Sequence, residues 1–293
     1  MFYVVCTAKP SDGLLHYSYE YARRLDQGPF QTELLIFPHP DFDKSHYKSA
    51  LINKYNDVRG VIFDDEVVAH WPSDGSLFMG RSMITLPYRQ EGRYTAVQKY
   101  RMSELLKKAI VVYSENHPES EYQAALMFFN AQNTLDIGDT EVYNKFNGIH
   151  FEKHIHFQYY RPIDDNPICK HLFLGTNREY YVDALRLIDK YEDSKIIVYK
   201  NQRGLLDSYE DKHIYVPVEN LCGLFEKYVY TKRTFDPAPR IMQECKYYGK
   251  EFIYERPEMH DGGSVYLNRP VVEEPDITGI IEAVKKIRMM KVA

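Results

Sequence analysis

The stretch Thr234–Glu255, TFDPAPRIMQECKYYGKEFIYE, sets how the rest of the chain is read. Two prolines, Pro237 and Pro239, stop whatever precedes them, RIMQECKYYG follows as a short helix, and Gly249 closes it before the apolar strand EFIY. Proline at a helix start and glycine just past its end is the asymmetry that helix boundaries prefer. The helix N-terminus presents unpaired N–H groups and a partial positive charge, and Arg240 adds a full charge in the first turn, which suits a phosphate. Glu244 stands at i+4 on the same face, an acceptor suited to the two hydroxyls of a ribose. Asp236 lies eight residues before it, just outside the helix. The same residues also fit a helix capped by Asp236 and carrying a solvated Arg240–Glu244 pair.

Upstream of this stretch runs an α/β series: strand HLFLGT, helix EYYVDALRLIDKY, strand SKIIVYKN, strand KHIYVPV and helix ENLCGLFEKYVY. The first half opens the same way. Strand FYVVCTA leads through the turn KPSDG into the helix LLHYSYEYARRLDQG, ended by Gly28. Strand QTELLIFPHP, a polar helix over 45–55, strand VRGVIFDDE, strand SMITLPY, a helix over 94–106 and strand KKAIVVYSE follow, and ESEYQAALMFFNAQ reads as helix to about Asp136. Apolar strands alternating with helices predict parallel sheets covered on both faces. The expected fold is α/β, two Rossmann-like domains facing a central cleft, over 1–165 and 166–275. The boundary is placed at RPIDDNPICK, and the amphipathic helix DITGIIEAVKKIRMM (276–293) is expected to pack back on the first domain.

Composition narrows the class. The 293 residues are 44% hydrophobic and 27% charged, an ordinary globular balance. No apolar run approaches the roughly 20 residues needed to span a bilayer, and the N-terminus lacks a basic n-region, so a cytoplasmic protein is expected. Cys6, Cys169, Cys222 and Cys245 are scattered without a C-x-x-C, which favours free thiols over zinc or bridges. A net charge of −5 gives no global attraction for polyanions, so a nucleic-acid partner needs a local patch such as Arg23-Arg24 or Lys107-Lys108. The 26 tyrosines offer stacking surfaces for bases and sugars, although most tyrosines serve as packing residues.

No G-x-G-x-x-G follows either first strand and no G-x-x-x-x-G-K-[ST] occurs, which disfavours dinucleotide oxidoreductases and P-loop phosphoryl transfer. The phosphate-suited elements are instead the loop GTNRE with Arg178 and the Arg240 helix.

In FDPAPRIMQECKYYGKEFIY the chain resembles the two-domain GT-B glycosyltransferases, whose donor-site pattern is an acid, seven intervening residues, a glutamate, then a glycine before a strand. That resemblance implies that Asp236 faces the donor sugar, Glu244 the ribose and Arg240 the phosphates, and of the Arg and Lys expected after the GTNRE strand only Arg178 is present, with Lys200 and Arg203 as substitutes. The opening SDGLLHYSYEYARRL resembles the Gly-rich loop and helix of such enzymes, with Gly13 at the close approach, although that loop usually carries two adjacent glycines. The tyrosine-rich wording PRIMQECKYYGKEFIYE is similar to compact phage-type glycosyltransferases, some of which modify hydroxymethylated DNA bases. The implied activity is transfer of a sugar from a UDP- or GDP-linked donor, retaining and metal-independent, with no cofactor besides the donor. The acceptor is a modified DNA base, a glycan or a small molecule, and the location is the host cytoplasm if the chain is phage-encoded.

Fixed N–H dipoles and arginines stabilise a leaving diphosphate without a metal. His16, beside the glycine loop, is a candidate for orienting the acceptor or touching the donor sugar, and IFDDE (Asp64, Asp65, Glu66) after a strand is a candidate for holding an acceptor or, through Asp65, for supplying a general base, against the alternatives of a polar surface histidine and a solvated turn. The string Asp41-Phe42-Asp43 fits a DxD metal clamp but sits in a proline-flanked loop of the first half. His154 and His156 alternate on an expected strand without a third ligand and are taken as structural. The glycine loop HDGGSVYLNR (260–269) lines the cleft or forms a hairpin turn. Two rivals stay open: a non-catalytic two-lobed ligand-binding protein, and a nucleotide-sugar epimerase on the same scaffold.

Overall fold

A computed structural model describes residues 1–67, 74–113, 118–131, 134–139, 148–200, 202, 204–231, 239–255, 271–272, 274 and 276–290. In chain order the elements are β1 (Phe2–Cys6), α1 (Gly13–Asp26), β2 (Thr32–Ile36), α2 (Lys44–Ile52), β3 (Val61–Phe63), β4 (Ser76–Phe78), α3 (Ser82–Arg89), α4 (Ala96–Leu106), β5 (Ala109–Tyr113), α5 (Glu119–Phe128), β6 (Thr134–Asp139) and β7 (His150–Phe151). There follow β8 (Cys169–Leu174), α6 (Arg178–Leu187), β9 (Ser194–Tyr199), β10 (His213–Val216), β11 (Phe225–Tyr230), α7 (Arg240–Tyr247), β12 (Glu251–Tyr254) and α8 (Thr278–Met289). The protein is α/β and divides into two compact units. Among the described residues no helix is long and apolar enough to cross a membrane.

The first unit comprises Met1–Lys48, Asp57–His156 and Val272–Ala293. Its sheet has the order β3-β2-β1-β4-β5-β6-β7, and its strand pairs are parallel. The central strand β1 is buried along its whole length, as expected of a strand covered on both faces. On α8, Ile280, Ala283, Val284 and Ile287 repeat at helical spacing and are buried where the helix lies against β5, β6 and β7. Asp136 follows a Schellman ending of α5: Asn130, at φ +51°, donates its N–H to the Met127 carbonyl, and the Ala131 N–H reaches the Leu126 carbonyl at 2.8 Å. The helix therefore stops at Phe128, short of the expected end, and Thr134–Asp139 pairs with β5 instead.

The second unit comprises Ser49–Asn56 and Phe157–Val271. Its sheet, order β10-β9-β8-β11-β12, is parallel throughout. The apolar centres of β8, β9 and β11 (Leu172, Phe173, Ile196, Ile197, Val198, Tyr228 and Val229) form the core, each large side chain contributing about 1.5–3 kcal/mol by leaving water.

Two expected elements are corrected. SMITLPY is not a strand but the helix α3, and Pro87 is tolerated inside it. The Met83 carbonyl that would have taken the missing Pro87 N–H accepts the Thr7 hydroxyl at 2.7 Å instead. ENLCGLFEKYVY is not a helix. A single turn over Leu221–Gly223 feeds strand β11, and Gly223 is pressed so close to the Asp164 carbonyl that a Cβ there would lie 2.0 Å from it. The aromatic and β-branched run FEKYVY then pairs with both β8 and β12.

Candidate functional site

In the second unit the chain passes from β8 to β9 and β10 on one side of β8, and to β11 and β12 on the other, so the strand order reverses between β8 and β11. Open parallel sheets bind ligands outside the carboxyl ends of the strands at such a switch point. Two described turns and the start of one helix stand at that edge. After β8 comes Gly175, whose N–H donates to the Ile197 carbonyl at 2.8 Å; a Cβ there would stand 2.5 Å from Ile196 Cγ2 and 3.1 Å from the Ile197 carbonyl oxygen. Only glycine lets the turn lie this close to β9. Asn177 then caps α6 by accepting the Tyr180 N–H at 2.8 Å, and Arg178, the first residue of the helix, is exposed. After β9 comes Lys200, also exposed. After β11 comes the N-terminus of α7, Arg240. Asp236 and Arg203 lie outside the described residues, as does the glycine loop 260–269.

Glu244 sits one turn into α7, about 6 Å further along the helix axis from Arg240. It is 2% exposed, and one carboxylate oxygen, Oε1, accepts from Lys54 Nζ at 2.6 Å, Arg240 Nε at 2.7 Å and the Tyr160 hydroxyl at 3.1 Å. Burial alone would raise this carboxyl, but the opposing charges of Lys54 and Arg240 and their hydrogen bonds hold it below the usual carboxylate range. Arg240 is itself buried, donating also to the Tyr55 hydroxyl at 3.2 Å and lying over the Tyr160 ring. The i,i+4 pair therefore forms, but at the centre of a buried network and not on a solvated face. Gly249, at φ +68°, closes the helix: its N–H points to the Lys246 carbonyl and the Lys250 N–H reaches Cys245 at 2.7 Å. Beside Glu244 opens a cavity of about 510 Å³, lined among others by Lys54, Arg161, Asp164, Glu219, Asn220 and Tyr248. Its walls include the segments that lead into β8 and β11, so it lies toward the amino ends of those strands. Glu244 thus faces away from the edge where Arg178 and Lys200 stand, and the structure does not bring these four expected donor residues together around one open pocket.

In the first unit Gly13 opens α1 behind Asp12, whose carboxylate accepts the Leu14 N–H, and His16 follows as a buried residue, not the surface histidine of the alternative view. Asp65 is exposed and paired with Lys44 at 2.6 Å, whereas its neighbour Asp64 is 4% exposed. Burial pushes the Asp64 carboxyl up, against the opposing effects of Gln98, Arg101 and Lys44. Of the IFDDE acids, Asp64 is the buried one. Its place directly after β3 was the available signal.

Asp43 of the DFD string caps α2, accepting from the Ser45 N–H at 2.8 Å and lying 2.9 Å from His46 Nδ1. The Ser45 and His46 bonds hold its carboxyl down at about 2, while Asp41 pairs with Arg93 at 3.0 Å. The segment carrying His154 and His156 is not a strand: His156 is fully buried and His154 sits 2.9 Å from Glu152. Of the basic pairs, Arg23 is buried and 3.7 Å from Asp57, Arg24 meets Glu274 at 3.4 Å and Lys107 meets Glu104 at 2.6 Å. These partners take up much of the charge that a nucleic acid would need. All four cysteines are free and buried. No family model matches the chain, and no curated protein matches it.

Proposed function

We propose that this protein is a glycosyltransferase that takes a sugar from a nucleoside-diphosphate donor bound at the carboxyl edge of the second unit. The observation that carries the proposal is the switch point between β8 and β11, where the tight Gly175 turn, the exposed Arg178 and the N-termini of α6 and α7 share one edge. Backbone N–H groups and fixed cations of this kind stabilise a leaving diphosphate as its charge develops. The GT-B resemblance extends the proposal to metal-independent, retaining transfer, with a hydroxymethylated DNA base or a glycan as acceptor. In this scheme Arg178 and Lys200 meet the phosphates. Arg240 reaches them only by exchanging partners within its network, and Glu244, which faces away from that edge, makes no ribose contact in this scheme.

The buried commitment of Arg240 and Glu244 to Lys54, Tyr55 and Tyr160 favours a second scheme, a ligand-binding protein that performs no transfer. Thermal melts with UDP, GDP, ADP and CDP test the first step. A ligand at about 100 times its Kd adds about 2.7 kcal/mol to stability. The expected outcome is a shift with one nucleoside diphosphate that disappears in Arg178→Ala. No shift with any of them sinks the donor site, and a shift without release of nucleoside diphosphate from the matching sugar donor, across an acceptor panel, supports the second scheme.

A further inference from the structure

We propose that Gln202 is the residue that reads the nucleobase of the bound nucleotide. The inference rests on the donor site proposed above and adds its specificity contact. Strand β9 ends at Tyr199 and the chain turns at once, the Gln202 N–H donating to the Tyr199 carbonyl at 2.9 Å. Gln202 therefore stands on the carboxyl edge of the sheet. Its strand neighbours β8, one strand spacing of about 4.8 Å away, and the Gly175 bond to Ile197 ties the turn after β8 to β9 itself. A nucleotide whose phosphates lie at the Arg178 helix start has its base within reach of that position.

Both polar atoms of the Gln202 carboxamide, Oε1 and Nε2, are covered from solvent and neither has a hydrogen-bond partner among the described residues. Elsewhere in the unit a side chain with one unmatched atom has its other atom engaged: His213, whose Nδ1 is unmatched, lies with Nε2 3.0 Å from the Tyr181 hydroxyl, and Asn220, whose Oδ1 is unmatched, donates through Nδ2 to the Asp164 carbonyl at 2.7 Å. An amide deprived of water on both sides is destabilising unless a partner arrives. The residue as a whole is only half-buried, and in the proposed complex its side chain turns toward the base.

A carboxamide presents one donor and one acceptor side by side. The hydrogen-bonding edge of a base offers the complementary pair, which a glutamine meets with two bonds at once, as it does at adenine in DNA. A carboxylate at the same place would accept two bonds and donate none, which fits only the adjacent N1–H and amino group of guanine.

The test is calorimetric titration of the full chain with UDP, GDP, ADP, CDP and inorganic pyrophosphate, for the wild type, Gln202→Met and Gln202→Glu. Methionine keeps the volume and removes the unmatched polar atoms, so Gln202→Met is expected to melt no lower than the wild type. Loss of one bidentate base contact weakens binding by about 5- to 150-fold. The expected result is a loss of that size for the preferred nucleoside diphosphate in Gln202→Met, unchanged pyrophosphate binding, and a change of preference toward GDP in Gln202→Glu. Wild-type affinity for the preferred nucleotide in Gln202→Met overturns the inference and leaves the donor site standing. An equal loss for pyrophosphate overturns it in favour of a structural role. If the wild type binds none of the nucleotides, the donor site fails and this contact fails with it.

Discussion

Replacing Lys54 by methionine tests the network around Glu244. In the wild type, Glu244 Oε1 takes three donors at 2.6–3.1 Å inside the second unit, and the carboxylate is 2% exposed. Removing one partner of a buried ion pair costs about 3–5 kcal/mol, because the remaining charge keeps its desolvation without its counterion. The Lys54 side chain is 22% exposed, and Arg240 and Tyr160 stay on the same oxygen, so the lower end, about 3 kcal/mol, applies to Lys54→Met. At roughly 2–4 °C per kcal/mol for a chain of this size, differential scanning calorimetry should show a fall of about 6–12 °C. Glu244→Gln should cost a similar amount by stranding the two cations, and the double variant should cost less than the sum, since its members share one network. The pH dependence fixes the sign. A carboxyl whose folded value lies below its unfolded value of about 4.3 contributes stability that is full above the unfolded value and is lost as pH falls through the folded one. The wild-type midpoint should therefore drop on acidification below about pH 5 more steeply than that of Glu244→Gln. A fall of less than about 2 °C for Lys54→Met, together with identical acid slopes, would refute the network.

Three further outcomes follow from other parts of the molecule. Gly175→Ala pushes a methyl to 2.5 Å from Ile196 Cγ2 and should cost about 1–3 kcal/mol in urea titrations, part of it recovered in Gly175→Ala/Ile196→Val; an unchanged midpoint would contradict the close approach of the Gly175 turn to β9. Arg81 is buried between the Tyr113 and Tyr122 rings, each 4.2 Å away, and forks onto Glu119 and onto Asp136 at 2.7 Å. Arg81→Lys should therefore destabilise the first unit by roughly 2–4 kcal/mol despite keeping the charge, and a neutral effect in thermal melts would contradict this. Burial pushes the thiols of Cys6, Cys169 and Cys222 up to about 12 and that of Cys245 well above the usual value, so a disulfide reagent at pH 8 should leave the native chain unlabelled and modify it only in urea; rapid native labelling would disprove their burial.

What the sequence made legible follows from where the folding signal resides. SKIIVY and HLFLGT read as buried parallel strands because both faces of each are apolar or β-branched, and that property is local. FEKYVY misled because, attached to ENLCGL, its leucines and aromatics fall at helical spacing. The deciding contacts are distant ones, Gly223 against the Asp164 carbonyl and strand pairing to β8 and β12, which no local periodicity encodes. Short β4 and β6 went unseen for the same reason: SLF and TLDIGD become strands by pairing with β5 on either side. At the candidate site the spacing from Arg240 to Glu244 correctly implied a shared helix face, yet it carried nothing about what that face meets. Lys54 lies 190 residues before Glu244, and it is this long-range partner that turns a plausible ribose acceptor into a buried, charge-compensated anchor. Ligand-facing and core-facing carboxylates differ in their third-dimension neighbours, not in their local pattern. Exposed Arg178, three residues after the glycine that the close approach to β9 demands, is therefore the stronger pointer to the proposed phosphate site.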